Sequence, residues 1–350
     1  MEAKLIEYLK SSISISSYSG CTINCKYCIL SSLKNRLDVV KVFDEEQLVE
    51  DLFQNKFFVK DFTPVTINNR TDPFLNKIVK ESTFKILDCF EKKNIKNPLI
   101  IITKGYLNED DICKLKTYSC NLHIFYTYSG ISETLENRVE KIQIKTMERL
   151  ASLNNIKLVH YYRPIIEGIN TSDEIINHVS QIATKFFNTS VVSGVRINSH
   201  LKNVFKNENL EILLQPDSEH KIILEETYNK IKDTLLKYND NHLCFKKTSC
   251  CISVLNNQVD YNSNFYTEKK CSKDCINYNL CHKFEGTTND EFKKLLENID
   301  KNYVFEIKDS EIIVHGELDQ EEKIYLVHNS KMKIRPTKLK KCSSEELLSK

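Results

Sequence analysis

The stretch Cys21-Thr22-Ile23-Asn24-Cys25-Lys26-Tyr27-Cys28 decides how this sequence is read. Three thiols fall within eight residues, spaced C-x3-C-x2-C. The segment directly follows an apolar run, residues 12–19 (SISISSYS), that reads as a first strand. Thiolates this close on one loop can converge on one metal centre, and cysteine sulfur favours iron–sulfur clusters and zinc. Tetrahedral zinc wants a fourth ligand nearby. The first histidine along the chain is His123, and the next cysteine, Cys89, falls in a predicted helix. Three ligands on a four-iron cluster leave one iron open to a ligand that is not protein.

The chain has 350 residues and 13 cysteines, with 41% hydrophobic and 28% charged residues. These shares are ordinary for a soluble globular protein, and a chain of this length buries an ample core without disulfides. No apolar run approaches the ~18 residues of a membrane span. The N-terminus MEAKLIEYLK lacks a signal peptide's apolar core and small-residue cleavage site. The expected location is a reducing cytoplasm, where many cysteines mean metal or redox chemistry more often than disulfides. Only 7 glycines occur, and neither common Gly-rich phosphate loop is among them. A net charge of +2 makes no electrostatic case for binding nucleic acid.

Outward from the thiol loop, apolar runs alternate with amphipathic segments, the pattern of βα units on a parallel sheet. Strands are predicted at 12–19, 63–68, 97–103, 121–128, 156–163 and 190–197, and helices at 44–55, 74–93, 107–117, 138–154 and 172–187. Leu99-Ile100-Ile101-Ile102 is apolar on both faces, as in a buried parallel strand. Asn170-Thr171-Ser172 before Asp173 and Glu174 reads as a helix N-cap. Six units take roughly 200 residues, which suits a partial (β/α)6 TIM-like barrel better than the eightfold form of about 250. The expected class is therefore α/β, with such a barrel at 1–240, a cysteine-rich segment at 241–284 and a small α+β C-terminal module at 285–350. A long helix is expected at 217–237. In the last module a helix at 289–299 precedes three short runs, YVFEI, EIIVHGEL and KIYLVHN, which read as an antiparallel meander.

C-x3-C-x-aromatic-C after a first barrel strand, with Tyr27 as the aromatic, resembles the signature of the radical S-adenosylmethionine superfamily. The resemblance covers about residues 12–200. It implies a [4Fe–4S] cluster on Cys21, Cys25 and Cys28, with the open iron chelated by the amino and carboxylate groups of S-adenosylmethionine. It further implies one-electron reduction by a donor such as flavodoxin or ferredoxin, cleavage to a 5′-deoxyadenosyl radical, and abstraction of a substrate hydrogen.

A closer resemblance is to the spore photoproduct lyase-like branch. Thr71-Asp72-Pro73 after the second strand, Thr103-Lys104 at the end of the third, and Pro164-Ile165-Ile166-Glu167-Gly168-Ile169-Asn170 after the fifth carry it. It implies that Lys104 and Ser129 contact the cofactor beside Tyr27, and that Asp72 lies near its ribose or amino group. Arg163 is expected to pair with the cofactor carboxylate. Two departures stand out. Asn68-Asn69-Arg70-Thr71 replaces the superfamily's frequent G-G-E step, and no cysteine lies between Cys28 and Cys89 to act as the spore enzyme's hydrogen donor. The second departure argues against thymine-dimer repair.

Six more cysteines, Cys244, Cys250, Cys251, Cys271, Cys275 and Cys281, follow the barrel. Cys250, Cys271, Cys275 and Cys281 are expected to form a four-thiolate set, with Cys251 as the alternative fourth ligand and His282 as a competitor. The polar loop between them has little apolar periodicity and needs something to organise it. An auxiliary four-iron cluster is the preferred reading, and structural zinc or uncoordinated thiols are the alternatives. Cys89 reads as core, Cys113 and Cys120 as packing residues or helix-end thiols, and Cys342 as tail. His123 and His160 read equally as core or barrel lining; Tyr126, Tyr128, Tyr161 and Tyr162 read as packing. Residues 333–341 (KIRPTKLKK) read as a solvated tail rather than a phosphate contact. The sequence thus points to a radical enzyme acting on a nucleic acid, peptide or small metabolite. A zinc-stabilised, non-catalytic binding or regulatory protein on the same barrel is the rival.

Overall fold

The structure is a computed structural model, and it describes residues 4–28, 30, 36–196, 201–203, 206, 223–262, 271, 273–282, 286–308 and 311–339. The elements run β1 (Ile6–Leu9), β2 (Ser12–Ile15), β3 (Tyr18–Ser19), β4 (Val40–Lys41), α1 (Glu45–Gln54), β5 (Val65–Ile67), α2 (Lys77–Lys93), β6 (Leu99–Thr103), α3 (Glu109–Lys116), β7 (Leu122–Thr127), α4 (Glu133–Glu136), α5 (Glu140–Ala151), β8 (Lys157–Ile165), α6 (Asp173–Phe186) and β9 (Thr189–Gly194). Then come α7 (Glu225–Tyr238), β10 (Leu243–Phe245), α8 (Thr248–Leu255), α9 (Tyr278–His282), α10 (Asn289–Asn298), β11 (Val304–Lys308), β12 (Glu311–Leu318), α11 (Gln320–Ser330) and β13 (Lys333–Leu339).

Eight strands form one open sheet in the order β1-β2-β5-β6-β7-β8-β9-β10, and every pairing from β5 to β10 is parallel. The class is α/β, a partial barrel rather than a closed one. Two compact units divide the chain. One comprises Met1–Ile6, Ser14–Phe53 and Lys60–Thr248; the other comprises Glu7–Ile13, Gln54–Val59 and Ser249–Lys350.

In the first unit the physics is that of a sheet buried on both faces. Leu99, Ile100, Ile101, Ile124, Phe125, Val159, Val191 and Val192 are all buried, as expected where helices cover the outer face of parallel strands and the strands' own side chains fill the inner one. The helices start where the sequence supplies caps. Asn76 Oδ1 accepts from Val79 N at 3.0 Å, Asn108 and Asp111 form a reciprocal capping box, and Ser172 Oγ accepts from Ile175 N at 3.3 Å. The register sets Thr103 beside Tyr126 and Thr127 beside Tyr161. Because these strands run the same way, the segments after β5, β6, β7 and β8 emerge at one edge, where sites in open α/β sheets form.

The second unit carries β11 antiparallel to β12, and β12 parallel to β13 across α11. The expected three-run meander is therefore corrected: KIYLVHN is helix, not strand. Its residues Ile324, Tyr325, Leu326, Val327 and His328 are all buried, so the run is apolar without a helical stripe. A short continuous apolar run does not distinguish strand from buried helix. The deciding signal is Asp319 and Glu322, which form a capping box at its start. The helix expected at 217–237 runs over Glu225–Tyr238, and residues 217–222 lie outside the described ones. No helix among the described residues is long and apolar enough to cross a membrane.

Candidate cofactor site at the C-terminal edge of the sheet

The three-cysteine loop is shaped by backbone constraints on both flanks. Gly20 has φ +93°, and a Cβ there would lie 2.0 Å from the Asp38 carbonyl oxygen, so only glycine fits. Cys21 N donates to Arg36 O at 2.7 Å, and Arg36 Nη2 donates to Asn24 Oδ1 at 2.6 Å. Asn24 itself sits at φ 58°, a left-handed position that asparagine tolerates. On the other side the segment Leu135–Glu136 receives the loop. Lys26 N donates to Leu135 O at 2.9 Å, and Cys25 Sγ donates to Glu136 O at 3.6 Å. The Tyr27 ring packs on a cluster of Ile131, Leu135, Ile166, Val195 and Leu201.

Burial pushes the Cys21 thiol up to about 11, helped by the charge of Asp72 and by Cys25 and Cys28. Burial also raises Cys25; Lys104 opposes the rise, while Glu136 and Cys28 add to it. The three sulfurs thus lie close enough to repel one another as anions. Buried thiols in this arrangement become thiolates only when cations join them, which is what bound iron supplies. Among the described residues no three His, Cys, Asp or Glu side chains converge on a single-ion position. A four-iron cluster, which takes one thiolate on each of three different irons, makes no such demand.

The sequence-predicted polar residues are placed as follows. Lys104, just past β6, directs its ammonium to Tyr27 OH at 2.6 Å and to Glu136 Oε1 at 2.5 Å. Tyr27 OH in turn donates to Glu136 Oε1. Burial works against the Lys104 charge, but the Glu136 carboxylate outweighs it and holds the amine above its usual range. The Tyr27 phenol is held well above its range by burial and by the same carboxylate. Asp72 is occupied by the protein: its carboxylate accepts from Thr103 Oγ1 at 2.6 Å, Phe74 N at 2.9 Å and Lys104 N at 2.8 Å. It stitches the loop after β5 to the end of β6 and places a negative charge near Cys21.

Ser129, just past β7, is fully buried, and its Oγ has no hydrogen-bond partner; Thr71 Oγ1 after β5 is in the same condition. Glu167 Oε1 after β8 and the Nε and Nη2 of Arg138 are likewise buried without partners. Buried polar atoms are normally satisfied; Thr71, Ser129 and Glu167 follow strands whose ends share one sheet edge, and their unsatisfied atoms suit a small polar ligand there. Thiols and strand ends together fit an iron–sulfur cluster with a polar cofactor. Arg163 lies two strands from Lys104, roughly 10 Å along the edge. Its Nη1 donates to Tyr161 OH at 2.6 Å, and that hydroxyl is 3.2 Å from Thr248 Oγ1.

The stretch after β8 is held by Asn170. Its Nδ2 donates to Ser129 O at 2.8 Å and Pro164 O at 3.0 Å, and its Oδ1 accepts from Ile166 N at 2.8 Å. His160 is a settled core histidine: Nε2 donates to Tyr128 O at 2.7 Å, and Nδ1 accepts from Ser190 Oγ at 2.9 Å. Tyr128 OH donates to Glu140 Oε1 at 2.5 Å on α5, whereas Tyr161 meets Phe125 edge-on on the opposite face. Glu136 completes the site, and nothing in the sequence singles it out: it ends a four-residue helix, ETLE, like any surface acid.

The second cysteine set lies in the second unit. Cys250 is half-buried and Cys251 fully buried on α8, Cys271 is exposed, and Cys275 and Cys281 are half-buried. Burial raises the Cys281 thiol; the Asp260 N–H opposes the rise, while the Asp260 charge, Cys271 and Cys275 add to it, so the Cys281 sulfur lies near the other two. Cys281 Sγ accepts from Asp260 N at 3.5 Å and Asn277 Nδ2 at 3.6 Å. The Lys331 amine, 4.5 Å from the centre of the Tyr261 ring, is pushed down to about 7 by burial, against the nearby charges of Asp260 and Cys281.

No protein-family profile matches the chain, and no curated protein matches it. Solved structures do. A spore photoproduct lyase variant with bound AdoMet and dinucleoside spore photoproduct aligns with a TM-score of 0.52 at 13% identity, over 70% of this chain and 79% of that one. Spore photoproduct lyase complexed with dinucleoside spore photoproduct aligns at 0.51, with 13% identity and the same coverage. A radical SAM methyltransferase from Sphaerobacter thermophilus aligns at 0.45, with 12% identity over 68% and 67% of the two chains. The fold is thus similar to that of spore photoproduct lyase, and at 13% identity the likeness is one of fold.

Proposed function

We propose that the chain is a radical S-adenosylmethionine enzyme whose [4Fe–4S] cluster is held by Cys21, Cys25 and Cys28. The observation that carries this reading is the docking of the three-thiol loop against Lys104 and Glu136 at the edge where the parallel strands end. When bound, the reduced cluster and S-adenosylmethionine supply a 5′-deoxyadenosyl radical that takes a hydrogen atom from substrate.

The chain's own residues bind, aim and exclude water. Lys104 holds an anionic group of the cofactor as a point charge, and Ser129 Oγ satisfies itself on a polar one. Asp72 keeps the Lys104 backbone in place and sets a negative charge near the cofactor's amino or ribose side. The Arg163 guanidinium offers a paired donor to the cofactor carboxylate. Tyr27 and the apolar cluster beneath it keep water from one side of the site. A one-electron donor of the flavodoxin or ferredoxin type reduces the cluster.

In the second unit, Cys250, Cys271, Cys275 and Cys281 hold an auxiliary cluster. Two N–H donors aimed at the Cys281 sulfur support this, since such bonds tune iron–sulfur centres. The substrate is a nucleic acid, peptide or small metabolite, and the net charge of +2 favours the latter two. The thiol count suits a reducing cytoplasm.

The test is anaerobic reconstitution. The expected result is about eight irons per chain and 5′-deoxyadenosine on addition of S-adenosylmethionine and a reductant. A fully loaded, reduced protein that leaves the cofactor intact would overturn the reading. Zinc without iron or sulfide after anaerobic purification would favour the non-catalytic zinc protein instead.

A further inference from the structure

The buried knot of Tyr27, Lys104 and Glu136 brings together residues from three separate stretches of chain. The Glu136 side chain is 2% exposed and that of Lys104 12%. A charge so enclosed is costly unless paired, so the two hold each other there. A lysine ammonium has three N–H donors. One goes to Glu136 Oε1 at 2.5 Å, one to Tyr27 OH at 2.6 Å, and one remains. The Lys104 backbone N–H is fixed separately by Asp72. The backbone around Glu136 grips the thiol loop through Lys26 N on Leu135 O. One carboxylate thus joins the loop bearing the three thiols to the end of β6.

We propose that Glu136 is the positioning residue of the cofactor site: its carboxylate fixes the Lys104 ammonium and the Tyr27 hydroxyl, leaving the remaining Lys104 N–H for an anionic group of S-adenosylmethionine. The proposal rests on the radical-enzyme reading above. Lysine is a compact charge on a flexible four-carbon stem. Without Glu136 that stem samples many rotamers, and ordering it falls on the binding step. Loss of Glu136 therefore weakens cofactor binding more than it slows the cleavage that follows.

The experiment compares wild type, Glu136→Ala and Glu136→Gln, each reconstituted anaerobically with iron and sulfide. Uncoupled 5′-deoxyadenosine formation is measured against S-adenosylmethionine concentration with dithionite. The expected KM rises tenfold or more in Glu136→Ala, with kcat within threefold of wild type. Glu136→Gln, which keeps the acceptor and loses the charge, is expected between the two. In parallel the iron-free proteins are treated with acetic anhydride and the labelling of Lys104 is followed by mass spectrometry. Lys104 is expected to be protected in wild type and to react at least fivefold faster in Glu136→Ala. A wild-type KM with wild-type labelling overturns the proposal, as does a fall in kcat at unchanged KM. If Glu136→Ala does not fold, the near-isosteric Glu136→Gln carries both measurements. If the wild type takes no cluster or leaves the cofactor intact, the radical-enzyme reading fails, and the labelling still decides whether Glu136 holds Lys104.

Discussion

Single residues carry the site in two ways, by donating sulfur and by bending backbone. Replacing Cys21, Cys25 or Cys28 with alanine removes one thiolate of the proposed cluster, and S-adenosylmethionine cleavage is expected to vanish in an anaerobic assay. Gly20→Ala changes no ligand, yet its Cβ would meet the Asp38 carbonyl at 2.0 Å at a positive φ. The loop must shift, and iron content measured after anaerobic reconstitution is expected to drop. Asn170→Ala strips hydrogen bonds from Ser129 O, Pro164 O and Ile166 N inside the fold. Destabilisation of about 3 kcal/mol is expected from buried groups left unsatisfied, read as a lowered denaturation midpoint. Retention of wild-type stability would mean that water replaces all three bonds.

At the level of elements, legibility followed burial. Strand β6 was readable because both of its faces are apolar, and α6 because Ser172 caps it. Helix α11 misreads as a strand because burial on all sides erases the helical stripe. What holds α11 at its start is local: Asp319 accepts from Glu322 N at 2.8 Å, and Glu322 returns a bond to Asp319 N. Asp319→Ala is expected to cost about 1 kcal/mol in chemical denaturation of the whole chain. An unchanged midpoint would mean that burial of Ile324 to His328 fixes the helix unaided. Strand β10 escapes the sequence reading for the opposite reason, since three residues are too few to show a period.

For the whole molecule, pH is the sharpest probe of packing. Burial pushes His160 down to about 3, His242 to about 4 and His328 to about 3. Their pKa values are lower folded than unfolded, so the unfolded chain takes up protons first as pH falls below about 6.5. Stability is therefore full above that pH and is lost as pH drops toward 3–4, at up to about 1.4 kcal/mol per pH unit for each histidine. His242→Gln is expected to flatten the curve between pH 6.5 and 4; an unchanged slope would show that His242 already carries a proton when folded. Metal content is the second whole-chain probe. Cys271→Ala or Cys275→Ala is expected to lower iron from about eight to about four per chain, while uncoupled cofactor cleavage continues and turnover on substrate is lost.

The sequence by itself determined the α/β class, the order of the βα units and the thiol loop. Those properties are local, because spacing along eight residues already puts three sulfurs on one turn and apolar periodicity is a near-neighbour pattern. Tertiary structure alone decided what faces that loop. Glu136 lies 109 residues from Tyr27 and 32 from Lys104, and Asp72 lies 31 residues from the Thr103 hydroxyl it binds. No period or motif links such positions. They meet because parallel strands deliver the segments after them to one edge, and because a buried lysine and carboxylate are stable there only as partners.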